Sequence, residues 1–169
     1  LKDAFDNFNG GGVIFGYRVD DPTSYGVVEL DEKGKTVSIE EKPMFPKSNL
    51  AIPGIYIFDH KVVEIAENLK KSERRGEYEI VDVIISYLKL GELKVYKLPE
   101  GSDWFDAGTT SSLLDTANFI QAIQKRKGIN VGCPEEAALF RKFISLEDFE
   151  KLINEIPKKC EYKDYLIKV

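Results

Sequence analysis

Apolar and polar positions alternate along the first third of the chain with the period of two that marks strands. Val13 to Val19 (VIFGYRV) reads as a buried strand, ended by Asp20-Asp21-Pro22. Tyr25 to Leu30 and Thr36 to Glu41 read as the arms of a hairpin. The turn between them is Asp31-Glu32-Lys33-Gly34-Lys35, where Gly34 suits positive φ. Ala51 to Phe58 (AIPGIYIF) reads as one further apolar strand after a proline-containing loop at 44–49. The residues up to Gly10-Gly11-Gly12 read as a loop and a flexible connection.

The period then changes to that of helices. Asp59 is a plausible N-cap for a helix carrying Val62, Ile65, Ala66 and Leu69. Ile80, Val83, Ile84, Tyr87 and Leu88 fit i, i+3, i+4, i+7, i+8. Glu92 to Leu98 returns to a strand. Thr109 to Ser112 offers caps for a helix with Leu113, Leu114, Ala117, Ile120 and Ile123. Pro134 to Phe143 and Ser145 to Ile156 complete a helical last third. Strands interleaved with helices predict an α/β domain, a layered mixed sheet flanked by helices, with an appended C-terminal helical subdomain. The expected division is 1–110 and 111–169.

Composition narrows the class. Hydrophobic residues make up 43% and charged residues 31% of 169, an ordinary globular balance. The net charge of −5 argues against a general nucleic-acid binder, while leaving room for a local basic pocket. No apolar run approaches the ~18 residues of a membrane span, and no signal peptide is expected. Cys133 and Cys160 form no CxxC and read as free thiols of a cytoplasmic protein. The chain opens on Leu1, which suits a piece of something longer.

Candidate chemistry is local and ambiguous. The triple glycine precedes a strand, so it is no dinucleotide fingerprint. The single histidine, His60, has no nucleophile motif beside it and reads as a helix-start surface residue. In Ser38-Ile39-Glu40-Glu41-Lys42-Pro43, Lys42 can meet a phosphate and Glu41 sugar hydroxyls, or both can be solvated charges at a sheet end. Arg74-Arg75 can be a solvated loop or a forked donor to phosphate. In Asp103-Trp104-Phe105-Asp106-Ala107-Gly108-Thr109, Asp106 can be a helix cap or a hard-metal ligand, and Trp104 an apolar wall beside a sugar or base.

Six stretches occur in one order: YGVVE at 25–29, IEEKP at 39–43, PKSNLA at 46–51, GIY at 54–56, RGEYEI at 75–80 and WFDAGT at 104–109. In this order they resemble the later half of the glucose-1-phosphate thymidylyltransferases, a family of sugar-nucleotide pyrophosphorylases. VGCPEEA at 131–137 resembles the helical tail of the short members. The resemblance implies part of a nucleotide-diphospho-sugar transferase fold and transfer of dTMP from dTTP to glucose 1-phosphate by a full-length parent. It implies Lys42 on the sugar phosphate, Glu41 on the sugar hydroxyls, and Gly26, Ile52 and Tyr56 lining the sugar pocket. It also implies Arg75 supporting the phosphate, Trp104 beside sugar and phosphates, Asp106 as one of two Mg²⁺ ligands, and a homo-oligomer, by resemblance a tetramer. No nucleic-acid or membrane partner is implied.

Two positions depart from the family pattern, Pro53 beside the pocket and Ala107 after the metal aspartate. The GGxGTRL-type loop and the second metal aspartate of the family are absent from this chain. On that reading the chain supplies the sugar-phosphate side and one metal ligand. A uridylyltransferase and a non-catalytic sugar-phosphate-binding or assembly module remain as alternatives.

Overall fold

The computed structural model describes residues 1–73 and 76–169 and divides into two compact units, Leu1–Trp104 and Phe105–Val169. The first unit opens with a short helix, α1 (Lys2–Asp6), where the sequence suggested a loop. Ala4 is the reason: its methyl is buried with Val13 and Phe15, so the segment is held by packing.

Among the described residues six strands form one mixed sheet: β1 (Gly12–Arg18), β2 (Gly26–Leu30), β3 (Thr36–Glu41), β4 (Leu50–Ala51), β5 (Tyr56–Phe58) and β6 (Leu93–Lys97). The hairpin β2–β3 pairs Gly26 with Glu41 and Val28 with Ile39. Parallel β6 lies along one edge of β1, from Gly12 opposite Leu93 to Gly16 opposite Lys97. Antiparallel β4 and β5 both lie along the other edge.

The expected single strand over 51–58 is therefore interrupted. Ala51 faces Tyr17 and Tyr56 faces Ile14, so residues 52–55 oppose only Phe15 and Gly16. Pro53 has no N–H to give a ladder, and Ile55 N donates to its carbonyl at 2.7 Å in a tight local turn.

Helix α3 (Ile80–Leu90) packs on this sheet, and α2 (Lys61–Glu67) packs against α3. The buried stripe of α3 is Val81, Val83, Ile84 and Tyr87; Ile80, expected inside, is 41% exposed. Ile80 is the first residue of the helix and Val81 takes its place in the stripe, while Val83, Ile84 and Tyr87 are buried as the sequence suggested. Val81 and Ile84 pack with Ile14, Val28, Ile39, Leu50 and Ile52 as the core on one face of the sheet. Val13 and Phe15 build the smaller core on the other.

The triple glycine is a packing requirement here. Gly11 has φ +81, and a Cβ there would lie 2.4 Å from the Glu92 carbonyl oxygen. A Cβ on Gly12 would lie 2.9 Å from Tyr87 Cγ. The freed space lets Gly11 N donate to Asp59 Oδ2 at 2.8 Å, while Tyr87 Oη donates to Asp59 Oδ1 at 2.8 Å. Asp59 also accepts from Lys61 N at 3.1 Å; the N-cap of α2 is His60, one residue later than the sequence suggested.

The second unit holds α4 (Thr110–Lys127), α5 (Pro134–Phe140), α6 (Leu146–Glu155) and α7 (Glu161–Leu166). Cys133, Phe149 and Leu166 form its buried core, surrounded by Leu139, Ile144, Ile153, Ile156, Tyr162 and Tyr165. Both cysteines are free. Among the described residues no helix is long and apolar enough to cross a membrane.

Gly11→Ala should destabilise the first unit by roughly 2–5 kcal/mol, from the left-handed backbone together with overlap in a packed site; denaturant unfolding measures this. The Gly11 amide holds the Asp59 carboxyl below its ordinary range, with the Tyr87 hydroxyl and the Lys61 amide acting in the same direction. A depressed carboxyl contributes stability above the ordinary aspartate pKa and loses it as pH falls through the folded value. Thermal melts of wild type should therefore drop on acidification below about pH 4, and Asp59→Asn should flatten that limb.

Candidate sugar-phosphate site

Four of the expected residues meet on the α3 side of the sheet. Gly26 and Glu41 are register partners at the open end of the hairpin. A Cβ on Gly26 would lie 3.1 Å from Val81 Cγ2, 3.3 Å from Glu41 Oε2 and 3.6 Å from Ile52 Cδ1. Those three distances gather Glu41 Oε2, Val81 Cγ2 and Ile52 Cδ1 around the space above Gly26. Ile52 N donates to Gly26 O at 2.8 Å, which fixes the Ile52 backbone to the same rung.

Tyr56 closes the group. Its phenol is pushed up by burial and then by the negative charge of Glu41. Its ring stacks on Phe58 with centroids 5.9 Å apart, and Phe58 stacks on Tyr87 at 5.2 Å. One aromatic column thus runs from the pocket to the Asp59 network.

Lys42 follows Glu41 in an unusual backbone state. Its φ is +45, in the left-handed region that costs a non-glycine residue about 1–2 kcal/mol. Lys42 N donates to Tyr25 O at 2.9 Å, continuing the hairpin one rung past Gly26–Glu41. Glu40, by contrast, turns to the other face of β3 and pairs with Lys47 at 3.0 Å.

Trp104 lies elsewhere. Its ring packs edge-on against Tyr25 at 4.9 Å and Tyr17 at 5.7 Å between centroids. Alternation along β1 puts Tyr17 on the Val13 and Phe15 face, opposite the face that carries Ile14. The tryptophan therefore joins the site through Tyr25, which touches it by its ring and Lys42 by its carbonyl. Arg75 lies outside the described residues.

Asp106 belongs to the second unit and is not the cap of α4. That role falls to Thr109, whose Oγ1 accepts from Ser112 N at 3.1 Å while Thr109 N donates to Ser112 Oγ at 3.0 Å. A Cβ on Gly108 would lie 3.2 Å from Asp106 Oδ1, so glycine two residues on keeps the carboxylate uncrowded. The donor is a hard oxygen of the kind Mg²⁺ takes. Among the described residues no group of three or more His, Cys, Asp or Glu gathers for a metal.

Two contributors escaped the sequence reading. Val81 walls the carboxylate, and its only signal was its place in the apolar run of α3. Tyr17 was legible only as one more alternating position of β1.

A mixed sheet flanked by helices thus carries a carboxylate, a lysine and apolar side chains at one hairpin end. The nucleotidyl transferase family profile matches residues 2–123, and the chain belongs to that family. Its relatives include the glucose-1-phosphate thymidylyltransferase of Mycolicibacterium smegmatis, 47% identical over 159 residues. That match covers 94% of this chain and 54% of the relative. The glucose-1-phosphate thymidylyltransferase of Neisseria gonorrhoeae is 42% identical, over 93% of this chain and 54% of the relative. A crystal structure from Bacillus anthracis, provisionally assigned as a glucose-1-phosphate thymidylyltransferase and holding a sucrose, superposes with a TM-score of 0.62 at 37% identity. That superposition covers 78% of this chain and 50% of the other. The chain spans about half the length of the curated relatives it matches.

Gly26→Ala should leave the fold intact but displace the Glu41 carboxylate. If this group of residues binds glucose 1-phosphate, its dissociation constant should rise at near-wild-type melting temperature, read by calorimetry.

Proposed function

We propose that this chain supplies the sugar-phosphate side of a glucose-1-phosphate thymidylyltransferase, in which a full-length parent transfers dTMP from dTTP to glucose 1-phosphate and releases pyrophosphate. The observation that carries the reading is the gathering of Ile52 and Tyr56, from the neighbouring strands, around the Gly26–Glu41 rung of the hairpin, next to Lys42. The names of the relatives support the same substrate pair.

The transfer is an in-line displacement, with the sugar phosphate oxygen attacking the α-phosphate of dTTP. Such a step needs alignment and charge neutralisation more than a nucleophilic side chain. Glu41 accepts hydrogen bonds from sugar hydroxyls and sets the ring's orientation. Gly26 presents its backbone without a side chain in the way, and Ile52 and Tyr56 form the apolar wall. Lys42 and Arg75 neutralise the phosphate of the attacking sugar. Asp106 is this chain's ligand for Mg²⁺, which when bound supplies positive charge at the nucleotide phosphates. Trp104, expected beside sugar and phosphates, orders the site from the Tyr25 side.

A cytoplasmic homo-oligomer, by resemblance a tetramer, belongs to the same reading. Exposed Leu113 and Leu114 on α4, 57% and 61% accessible, support a covered surface there. A uridylyltransferase using the same pocket is the nearest rival, since the residues that read the sugar differ from those that read the base.

The test has two arms. The 169-residue chain alone should show no pyrophosphate release with dTTP or UTP; robust turnover would sink the half-site assignment. In the full-length parent, Lys42→Ala removes a charge-assisted contact of about 1.5–3 kcal/mol, so kcat/KM for glucose 1-phosphate should fall roughly ten- to more than a hundredfold. Glu40→Gln should stay near wild type, because Glu40 is on the other face with Lys47. Asp106→Asn should cut kcat severely and alter the metal dependence, since an amide is a poorer ligand for a hard cation. Equal, near-wild-type kinetics for Lys42→Ala and Glu40→Gln would return these charges to a solvated sheet end.

A further inference from the structure

We propose that Tyr17 is a positioning residue, which acts through Trp104 and Tyr25 to hold the backbone of Lys42. The proposal rests on the reading of Lys42 as the phosphate ligand, and it adds a residue to which that reading gives no role.

The chain of contacts is short. Tyr17, Ala51 and Val27 form one row across β1, β4 and β2. Ala51 is fully buried, and its methyl leaves a shallow place in the row beside the Tyr17 ring. The Trp104 indole meets Tyr17 and Tyr25 at the same interplanar angle, 64°, in both cases edge-on. Such T-shaped contacts are directional, because the positive ring edge meets the negative face of its neighbour. Two of them on one indole fix its plane. Tyr25 is thereby held by its ring, and Tyr25 N donates to Pro22 O at 3.0 Å. Its carbonyl then accepts from Lys42 N.

Lys42 has reason to need this support. With φ +45 it is one of two non-glycine residues with positive φ among the described residues. A strained conformation persists only where its surroundings over-determine it. The Tyr25–Lys42 hydrogen bond lies past the last paired rung of β2 and β3, where a hairpin end frays unless something outside the ladder holds it. The aromatic stack braces the Tyr25 side of that bond. Tyr17 lies on the face of β1 opposite Ile14, so its action is positional.

The test uses the 169-residue chain and needs no ligand for its first readout. Amide hydrogen exchange by NMR compares wild type, Tyr17→Ala and Tyr17→Phe. In Tyr17→Ala the Lys42 amide should exchange about three- to tenfold faster, the change that loss of one edge-to-face contact corresponds to. The Gly12 amide, bonded to Glu92 O at 2.9 Å, should not change. Tyr17→Phe keeps the ring and should restore wild-type protection. Trp104 is the only tryptophan, so its emission reports on the stack alone; it should shift to the red and quench more readily with acrylamide in Tyr17→Ala.

The second readout is calorimetric titration with glucose 1-phosphate, in which Tyr17→Ala should bind about three- to tenfold more weakly. Unchanged Lys42 exchange and unchanged emission in Tyr17→Ala overturn the proposal, and so does faster exchange with unaltered affinity. If wild type itself fails to bind glucose 1-phosphate, the functional reading of the pocket falls, while the exchange comparison still decides whether Tyr17 holds Lys42. Should Tyr17→Ala not fold, Tyr17→Leu keeps bulk on β1 without a ring and takes its place.

Discussion

The pocket side of the first unit depends on the absence of one methyl group, at Gly26. Its register partner is Glu41, so the two positions share a face and a rung. A Cβ there would press on the Glu41 carboxylate and on Val81 together. With only hydrogen present, the carboxylate gathers with Val81 and Ile52 around the space above Gly26. Its negative charge also reaches Tyr56, whose phenol it helps keep protonated. The packing of a glycine thus becomes an electrostatic property of the site.

The interruption between β4 and β5 serves the same end. Four residues oppose two, so the extra length is two. An extra length of one would turn Tyr56 to Phe58 over and send the Tyr56 ring to the wrong face. An even number keeps the ring on the Ile14 side, where Glu41 and Ile52 are. The extra residues are Pro-Gly-rich, at Pro53 and Gly54, and they bend locally through the Ile55–Pro53 hydrogen bond. Pro53, a departure from the family pattern, is compatible with this bend because no ladder bond is asked of its nitrogen.

Much of this was legible in the chain's pattern, and what was missed has a physical reason. The hairpin 25–41 and the strand at 93–97 announce themselves by alternation and by the Gly34 turn. Helix α4 announces itself by its hydroxyl cap. The start of the chain did not, because α1 is short and is held by Ala4 meeting Val13 and Phe15, a tertiary contact with no local signal. The triple glycine looked flexible for a related reason: Glu92 and Tyr87, which require it, lie about eighty residues on. Of the site, Gly26, Ile52 and Tyr56 came from resemblance alone and Glu41 also from its place at a strand end, and the geometry gives them one location. Trp104 came from the same source, but its partners Tyr17 and Tyr25 are visible only once strand pairing fixes the faces.

Glu41 and Lys42 pose a last geometric question, since adjacent residues on a strand face opposite ways. Were Lys42 a further strand residue, its side chain would follow Glu40 toward Lys47, across the sheet from Glu41. A sugar phosphate could then meet one of them but not both. The left-handed turn at Lys42 ends the alternation at the point where it would divide the two charges. Pro43 follows, and with no N–H it cannot resume the ladder on the next residue. The EKP sequence therefore encodes more than a carboxylate and an ammonium: the glutamate is the last residue governed by the sheet, the lysine the first one free of its alternation. At that departure the Lys42 amide donates to the Tyr25 carbonyl, and the Tyr25 ring in turn packs edge-on against Trp104, so the end of the hairpin is tied to the aromatic group behind it.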